Sequence, residues 1–512
     1  MILYCCYCST AGRDGSAMVP PFPQEQAARV CRTMLKELAA GTLTLVRTGA
    51  AGTDRAHDGV MLGALVCRDG SGSEIVLKTV SGISHELRPA APAGDGSIYV
   101  PPVVSAGAIA AALERNDKII HELTADIKRL KAARRNDDGS WAHPGAQEYE
   151  LILRRKALTS ESLQAVFALY AFHCADGTVR TLQDICRERL FFAGKYGEPA
   201  LPPVGTGDCC APKLLDYAFA RGLLPVSMCE VFYEPSADAA AAGTEAASDG
   251  GQPGGARVSD TARVSDIARM SGMQYPPCDE RCGVVLPAML GLEILYRDDD
   301  IIVVNKQSGV LSVPGRGPDK QDCIVNRVRR LFPHCMTQPS VHRLDMETSG
   351  LLVLAFNDEA HRCLCRQFEQ GTVHKQYTAL LDGNAVRAGI AGQGCMELYF
   401  RLDIDNRPHQ IWDAEYGKKA VTQWQLCGLE TYRGPDGAGR TVTRVLFTPH
   451  TGRTHQLRLA AADSHGFSMP IVGDTLYGRC AAGERLMLHA CSLSFAHPAD
   501  GRRMEFTCTV PF

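Results

Sequence analysis

The sequence lacks any long hydrophobic run and any strong net charge. Its 512 residues contain no stretch of about 18 consecutive apolar residues, so no membrane-spanning helix is expected. The 54 Lys and Arg stand against 57 Asp and Glu, for a net charge of −3. Proteins that coat polyanions over their whole surface are usually strongly basic, so any contact with nucleic acid must come from a local basic patch.

Composition excludes the fibrous and the wholly disordered classes. A hydrophobic fraction of 45% and a charged fraction of 22% are ordinary for globular domains, and the length predicts two to four of them. The 21 cysteines are scattered and odd in number, which is untypical of a small disulfide scaffold. The apolar first residues lack the basic segment of a secretory signal. We therefore expect a cytoplasmic protein with reduced, mostly buried thiols.

The first 233 residues form an N-terminal region that we predict to be mostly helical. Alanine-rich Gln24–Ala40 is compatible with a helix, and two β-rich runs around a glycine turn predict a hairpin at 59–81. Apolar periodicity predicts a helical segment over 147–233.

A further helix is predicted over 108–134. Six residues spaced alternately three and four apart form one stripe along this helix, which we call the seam: Leu113, Asn116, Ile120, Leu123, Ile127 and Leu130. This spacing is typical of a coiled coil over about three heptads, which would permit self-association through the helix. An amphipathic helix that packs on its own domain has the same pattern, and both interpretations stay open.

The chain changes character at 234–275, which we predict to be a low-complexity linker. It is rich in alanine and glycine and holds a duplicated five-residue unit, so it buries too little apolar surface to fold. From 285 to 512, compact β runs alternate with short helices, which predicts an α+β domain with a mixed, largely antiparallel sheet. Residues 281–512 carry 26 basic and 24 acidic residues, a net of +2 that favours this half for an anionic partner.

The segment His342–Leu352 carries the first candidate site. Asp345 stands close to the basic pair His342 and Arg343 and to Thr348 and Ser349, whose hydroxyls can bind a carboxylate. A carboxylate kept ionised in a partly buried pocket can act as a nucleophile or a base. Aspartate shortly before Thr-Ser-Gly is also a common turn, so the residues alone leave both interpretations open.

Two other segments could contribute. In Gly452–Arg458, helical spacing places His455 and Arg458 on one face, where the guanidinium could hold a carboxylate; a solvated basic helix start fits equally. In His374–Gly383, strand alternation places Lys375 and Tyr377 on one face, where the ring could stack on a base beside a phosphate; a core tyrosine fits equally.

Taken together, these segments resemble the RluA-type pseudouridine synthase family. The resemblance covers about 220 residues, from Glu293 to the C-terminus, and it is specific around Asp345 and in the Gly-Arg-Thr-His-Gln-Leu-Arg run. Further matching segments are 303–309, 311–316, 406–408, 417–422, 473–478 and 488–490.

The resemblance implies an isomerase that converts uridine in RNA to pseudouridine without metal, nucleotide or redox cofactor. The residue matching the family's catalytic carboxylate is Asp345. Tyr377 matches the tyrosine that lies against the target base, and Arg458 matches the arginine that pairs with the aspartate. Arg343 matches the residue that fills the space of the everted nucleotide. The basic residues His342, Lys375, Arg453 and His455 are predicted to contact RNA, in an rRNA or tRNA stem-loop.

The sequence departs from the family pattern in two places. Gln307 stands where the family usually has proline, and Leu459-Ala460 replaces an aliphatic residue followed by histidine. We expect activity to survive both changes, because neither position is expected to touch the carboxylate.

Cysteine spacing suggests a metal site without requiring one. Cys278 and Cys282 are separated by three residues, Cys5 and Cys8 by two, and Cys209 and Cys210 are adjacent. Structural zinc sites use such paired knuckles. The two knuckles lie far apart in sequence, which favours unligated thiols, and we predict no metal.

Two other functional classes remain as alternatives. An RNA-binding ribosome-assembly factor could keep the same fold without essential catalysis, although Asp345, Tyr377 and Arg458 are all present. A redox function at Cys5 and Cys8 would use C-x-x-C spacing, but these residues lie outside any βαβ pattern.

Overall fold

The computed structural model describes residues 20–47, 59–91, 96–133, 145–190, 202–234, 269–278, 281–435, 437 and 439–512. These residues form two compact units, Pro20–Leu290 and Gly291–Phe512. Most of the predicted linker, and Cys5 and Cys8, lie outside the described residues. In the part of the chain that the structure describes, no helix has the length and apolarity that crossing a membrane requires.

The first unit is built on a four-stranded sheet with the order β5-β3-β2-β8. Its elements are α1 (Glu25–Ala39), β1 (Leu43–Arg47), β2 (Val60–Arg68), β3 (Glu74–Val80), β4 (His85–Pro89), β5 (Ile98–Tyr99), α2 (Ala106–Ala133), α3 (Ala146–Phe167), β6 (Ala171–His173), β7 (Val179–Thr181), α4 (Leu182–Leu190), α5 (Cys210–Ala220), β8 (Leu224–Tyr233) and α6 (Cys282–Leu290). Strands β2 and β3 pair antiparallel, which confirms the predicted hairpin. The expected helix near residues 24–40 is α1, whose buried face packs on this sheet.

The predicted helix at 108–134 is α2, and it packs against α3 of the same chain. Its buried residues include Asn116, Leu123 and Ile127, so the predicted seam is the packed face. The Asn116 amide donates to the Ser162 hydroxyl at 3.3 Å, which provides a partner for a polar group inside the seam. Helix α3 of the same chain therefore covers part of the seam, as the amphipathic interpretation expects, while Leu113, Ile120 and Leu130 stay partly exposed.

The helical prediction for 147–233 is wrong in its second half. Helices α3, α4 and α5 lie in this segment, but so do the paired strands β6 and β7 and the long strand β8. Strand β8 pairs antiparallel with β2 and is almost entirely buried. A strand that is buried along most of its length reads as a continuous apolar run and has no two-residue alternation to distinguish it from a buried helix.

The second unit contains one ten-stranded sheet with short helices. Its elements are β9 (Glu293–Arg297), β10 (Ile301–Lys306), α7 (Ile324–Leu331), β11 (Ser349–Ala355), α8 (Asp358–Glu369), β12 (His374–Leu381), β13 (Gln393–Leu402), β14 (Gln410–Trp412), β15 (Lys418–Arg433), β16 (Gly439–Pro449), α9 (Gln456–Ala462), β17 (Leu488–Ala496) and β18 (Arg503–Thr507). The predicted α+β class is confirmed. The unit begins at Gly291, close to the predicted boundary at 285.

The sheet order places three distant segments side by side. The path is β14-β13-β15-β16-β12-β17-β11-β10-β9, and β18 pairs with β17. All these pairs are antiparallel except β11 with β17. The loop containing Asp345 leads into β11, β12 carries Tyr377, and the connection after β16 leads into α9 with Arg458. Because β16, β12, β17 and β11 are consecutive neighbours in the sheet, these three segments converge.

Gly350 permits the close approach of β11 and β17. Its φ is +116°, and a Cβ atom there would lie 2.3 Å from the Ala490 carbonyl oxygen. Only glycine fits such a contact at this backbone conformation. The glycine at this strand entry therefore has a steric cause.

Candidate active site

A cleft of about 490 Å³ contains all eight residues that the sequence predicted as site residues. They are His342, Arg343, Asp345, Lys375, Tyr377, Arg453, His455 and Arg458. Arg343 and Arg453 are exposed, Asp345 is partly exposed, and Arg458 is buried. The cleft thus places a solvent-accessible carboxylate among cationic and aromatic side chains.

The loop that carries Asp345 is hydrogen-bonded to the last residue of β10, Lys306, and to the segment that follows this strand. Buried Lys306 donates from Nζ to the carbonyl oxygens of Gln307, Val310 and Met346, at 3.0, 2.7 and 2.9 Å. The Ser312 hydroxyl donates to the Leu344 carbonyl at 2.7 Å. These bonds fix the backbone on both sides of Asp345.

Burial lowers the pKa of Lys306 to about 7, and the charge of Asp345 opposes this shift. Three carbonyl acceptors require three donors, which only the protonated ammonium supplies. In its protonated form, the lysine therefore binds all three carbonyls of the loop and its neighbouring segment.

We predict that Lys306→Met destabilises the loop and slows catalysis. Each buried carbonyl left without a donor costs roughly 1–3 kcal/mol, and Asp345 loses its fixed backbone. Differential scanning calorimetry measures the first effect, and initial rates of the uridine isomerisation that the sequence resemblance implies measure the second. Exposed Lys320→Met is the control, because it removes the same charge without a buried network. Equal stability and rates in the two variants would contradict the role given to Lys306.

Arg458 does not make the direct pair with Asp345 that the family resemblance implies. Its guanidinium donates to buried Asp474 at 2.9 and 2.6 Å, in the two-pronged geometry that arginine favours, and lies 2.8 Å from Glu347. Burial lowers the pKa of Arg458, but Asp474, Glu347 and Asp345 together raise it. Arg458 therefore interacts with Asp345 only by long-range electrostatics, and its ion pair with Glu347 anchors the loop.

His455 brings an imidazole next to Asp345. Its Nε2 lies 4.0 Å from the Asp345 Oδ1, and its Nδ1 lies 2.8 Å from the Tyr477 hydroxyl. The residue has a φ of 54°, a left-handed conformation that is uncommon outside glycine and concentrates at functional sites. Burial lowers the pKa of His455, with Asp345 opposing the shift, so the ring is neutral at pH 7.

Tyr377 and Lys375 line the cleft from β12. Burial raises the pKa of Tyr377, and the nearby charge of Asp345 adds to the increase. The phenol is thus neutral, and its ring packs on the core beneath the cleft. The Nζ of Lys375 lies 5.8 Å from the Phe368 ring centroid.

His342 has a structural role in the wall of the cleft. Its Nε2 accepts a hydrogen bond from the Val353 amide at 3.1 Å, and its ring stacks on Phe368. Burial lowers the pKa of His342 to about 3, and Lys375 contributes. A neutral ring that is engaged in this way supplies no charge to a phosphate, which argues against the predicted RNA contact. The pKa of a histidine in the unfolded chain is near 6.5. Protonation of His342 therefore lowers the free energy of unfolding as the pH falls from about 6.5 toward 3.

The comparisons with known proteins point to one family. The family model described as RNA pseudouridylate synthase matches residues 300–463. The dual-specificity RNA pseudouridine synthase RluA of Yersinia pestis is 42% identical over 224 residues, which are 43% of this chain and 99% of that protein. The protein of the same name from Escherichia coli K12 is 40% identical over 224 residues, which are 43% of this chain and 94% of that protein.

The chain belongs to the RluA-type family of RNA pseudouridine synthases. It is therefore an isomerase that converts uridine to pseudouridine in RNA. Among solved structures, human RNA Pseudouridylate Synthase Domain Containing 1 has 31% sequence identity and a TM-score of 0.34. That match covers 43% of this chain and 84% of the human chain. The first unit lies outside the segment that the family model matches.

Several site residues of this synthase escaped the sequence reasoning. Lys306, Ser312, Glu347 and Asp474 build the support described above, and Thr348 has a buried Oγ1 without a partner among the described residues. Glu347 stood inside the Asp345 segment, so proximity could have indicated it. Thr348 was named there as a hydroxyl that can bind a carboxylate, but its buried Oγ1 was not foreseen. Ser312 and Asp474 lie in the matching segments 311–316 and 473–478, but their roles depend on contacts between distant segments that no local pattern shows.

Proposed function

We propose that this synthase isomerises a uridine in structured rRNA, tRNA or both, with Asp345 as the catalytic carboxylate. The observation that carries the proposal is a partly exposed aspartate in a cleft of about 490 Å³ that is also lined by Tyr377 and by the cationic side chains of Arg343, Lys375, Arg453 and Arg458. The similar proteins from Yersinia pestis and Escherichia coli are named for dual specificity, which supports the choice of RNA classes.

The cleft suits an everted base. A uridine in a stem-loop must leave its stack before its glycosidic bond can be reached, which costs a few kcal/mol. Stacking on an aromatic ring offsets part of that cost, and Tyr377 is the cleft residue suited to it. Exposed Arg343 and Arg453 at the cleft can contact phosphates, and Arg343 can occupy the vacated position.

Asp345 is not held in a direct ion pair with Arg458. The Arg458 guanidinium binds Asp474 and Glu347, and the His455 Nε2 lies 4.0 Å from the Asp345 Oδ1. The carboxylate therefore stays accessible to a nucleotide in the cleft.

The test of substrate class uses the full chain with unmodified rRNA and tRNA transcripts. Pseudouridines are mapped by carbodiimide modification and primer extension, with Asp345→Asn as the inactive reference. Modification at one or a few uridines in either transcript supports the proposal. No modification in either RNA by protein that binds both would overturn the substrate assignment.

We predict that Tyr377→Ala slows the chemical step. Loss of base stacking is worth about 1–3 kcal/mol, which corresponds to roughly 5- to 200-fold in rate. Single-turnover kinetics with saturating enzyme isolates this step from binding. Tyr377→Phe is the matched control, because it keeps the ring and removes only the hydroxyl. Wild-type single-turnover rates in Tyr377→Ala would exclude the stacking role.

The proposal also covers domain organisation and cellular location. We place the catalytic domain at 285–512, and we propose that the N-terminal region influences the affinity for RNA or the choice of RNA substrate. A cytoplasmic location accords with the free thiols among the described cysteines.

A further inference from the structure

Three thiols from two distant segments converge inside the first unit. The sulfur atoms of Cys209, Cys278 and Cys282 all lie within 4.8 Å of one another. Cys209 and Cys278 are 69 residues apart in sequence, yet their sulfur atoms are 3.6 Å apart. None of the three lines the catalytic cleft.

The spacing of the sulfur atoms fits a single tetrahedral ion. With metal–sulfur bonds of about 2.3 Å, two ligands at the tetrahedral angle are about 3.8 Å apart. The Cys209–Cys278 separation of 3.6 Å is close to this value. A disulfide needs about 2.05 Å and would leave the third thiol unused.

The backbone around the cluster favours thiolates. Cys209 is the N-cap of the 11-residue helix α5, and Cys282 is the first residue of α6. Helix N-termini carry partial positive charge, which stabilises an anionic ligand. Cys282 is fully buried, while Cys209 and Cys278 are partly exposed, so an ion could enter from one side.

We propose that Cys209, Cys278 and Cys282 bind one zinc ion, with water or a small external ligand in the fourth position. Thiolate ligands suit zinc, and three of them leave one tetrahedral position open. The ion would tie the turn before α6 to the start of α5, two segments that the chain separates widely. This replaces the expectation of unligated thiols, because Cys209 adds a third thiol to the Cys278–Cys282 pair.

Such a site would stabilise the first unit by mass action, since the unfolded chain does not present three converging thiols. Removal of the ion is therefore expected to lower the thermal midpoint of the first unit. This effect is independent of the catalytic cleft, so it can succeed or fail whatever the RNA substrate proves to be.

The test measures bound metal in the full chain after removal of any purification tag. Mass spectrometry of the purified protein, expressed with added zinc, should find about one zinc per chain. Cys278→Ser and Cys282→Ser should reduce this at least tenfold. Cys67→Ala is the matched control, because it removes a buried thiol of the same unit that lies outside the cluster. A wild-type chain that contains no zinc, takes up none on titration, or carries a Cys209–Cys278 disulfide would overturn the proposal.

A second measurement covers variants that fail to fold. Wild-type protein loaded with Co²⁺ should show the intense thiolate-to-cobalt charge-transfer band and the visible bands of a tetrahedral site. Added zinc should displace both signals. Octahedral cobalt spectra, or iron in place of zinc in the purified chain, would contradict the assignment.

Discussion

Replacement of Asp345 by Asn is expected to abolish pseudouridine formation while RNA binding and the fold persist. The amide has the size of the carboxylate, but it is neither a nucleophile nor a base at neutral pH. Removal of an essential catalytic side chain typically costs on the order of 10⁴-fold or more in rate. The loop itself is held by Lys306 and Ser312 through backbone atoms, so it should keep its conformation.

The measurement is tritium release from RNA labelled at uridine C5, with enzyme in excess over RNA. Asp405→Asn is the matched control, because it makes the same substitution at an exposed position outside the cleft. Filter binding to the same RNA shows that the Asp345 variant is folded and competent to bind.

The same variant separates the synthase from a ribosome-assembly factor. If cells carrying Asp345→Asn lose the modification and behave like cells without the gene, catalysis is the essential function. If they lose the modification but keep the wild-type phenotype, the assembly-factor alternative is favoured. If the purified variant still forms pseudouridine, Asp345 is not the catalytic group, and the mechanism proposed above fails.

The site could be predicted from sequence to the extent that its residues lie in local motifs. Asp345, Tyr377 and Arg458 each stand in a short segment that carries its own pattern, and the sheet order brings those segments together. Histidine 342 stands in such a motif as well, yet its ring is turned to a backbone amide and an aromatic ring. A motif places a residue at a site but does not decide which atoms it contacts.

The rest depended on contacts that no local pattern shows. The bond between Arg458 and Asp474 joins α9 to a later turn, and the cysteine cluster joins residues on either side of a long segment. Strand β8 was misjudged because burial removed its alternation. In each case the deciding term is tertiary packing, which outweighs local propensity.

Replacement of Arg458 by Met is expected to give the largest loss of stability in the second unit. The change leaves fully buried Asp474 without its charged partner, and breaking one side of a buried ion pair costs roughly 3–5 kcal/mol. It also removes the ion pair with Glu347, whose carboxylate keeps its hydrogen bond from Thr475, so the loop with Asp345 loses one of its contacts. We therefore expect a lower unfolding transition for this unit and a slower chemical step. Hydrogen exchange of the α9 amides during urea unfolding assigns the transition to the second unit.

The controls distinguish a buried network from a simple loss of charge. Arg453→Met removes an exposed guanidinium from the same cleft and should leave stability nearly unchanged. Arg458→Lys keeps the charge but cannot reproduce the two-pronged bond to Asp474, so it should fall between wild type and Arg458→Met. The double variant Arg458→Met/Asp474→Asn should recover part of the loss, because the uncompensated charge is gone. If Arg458→Met loses activity at full stability, the arginine acts on Asp345 alone, and the supporting role inferred from its bonds to Asp474 and Glu347 is wrong.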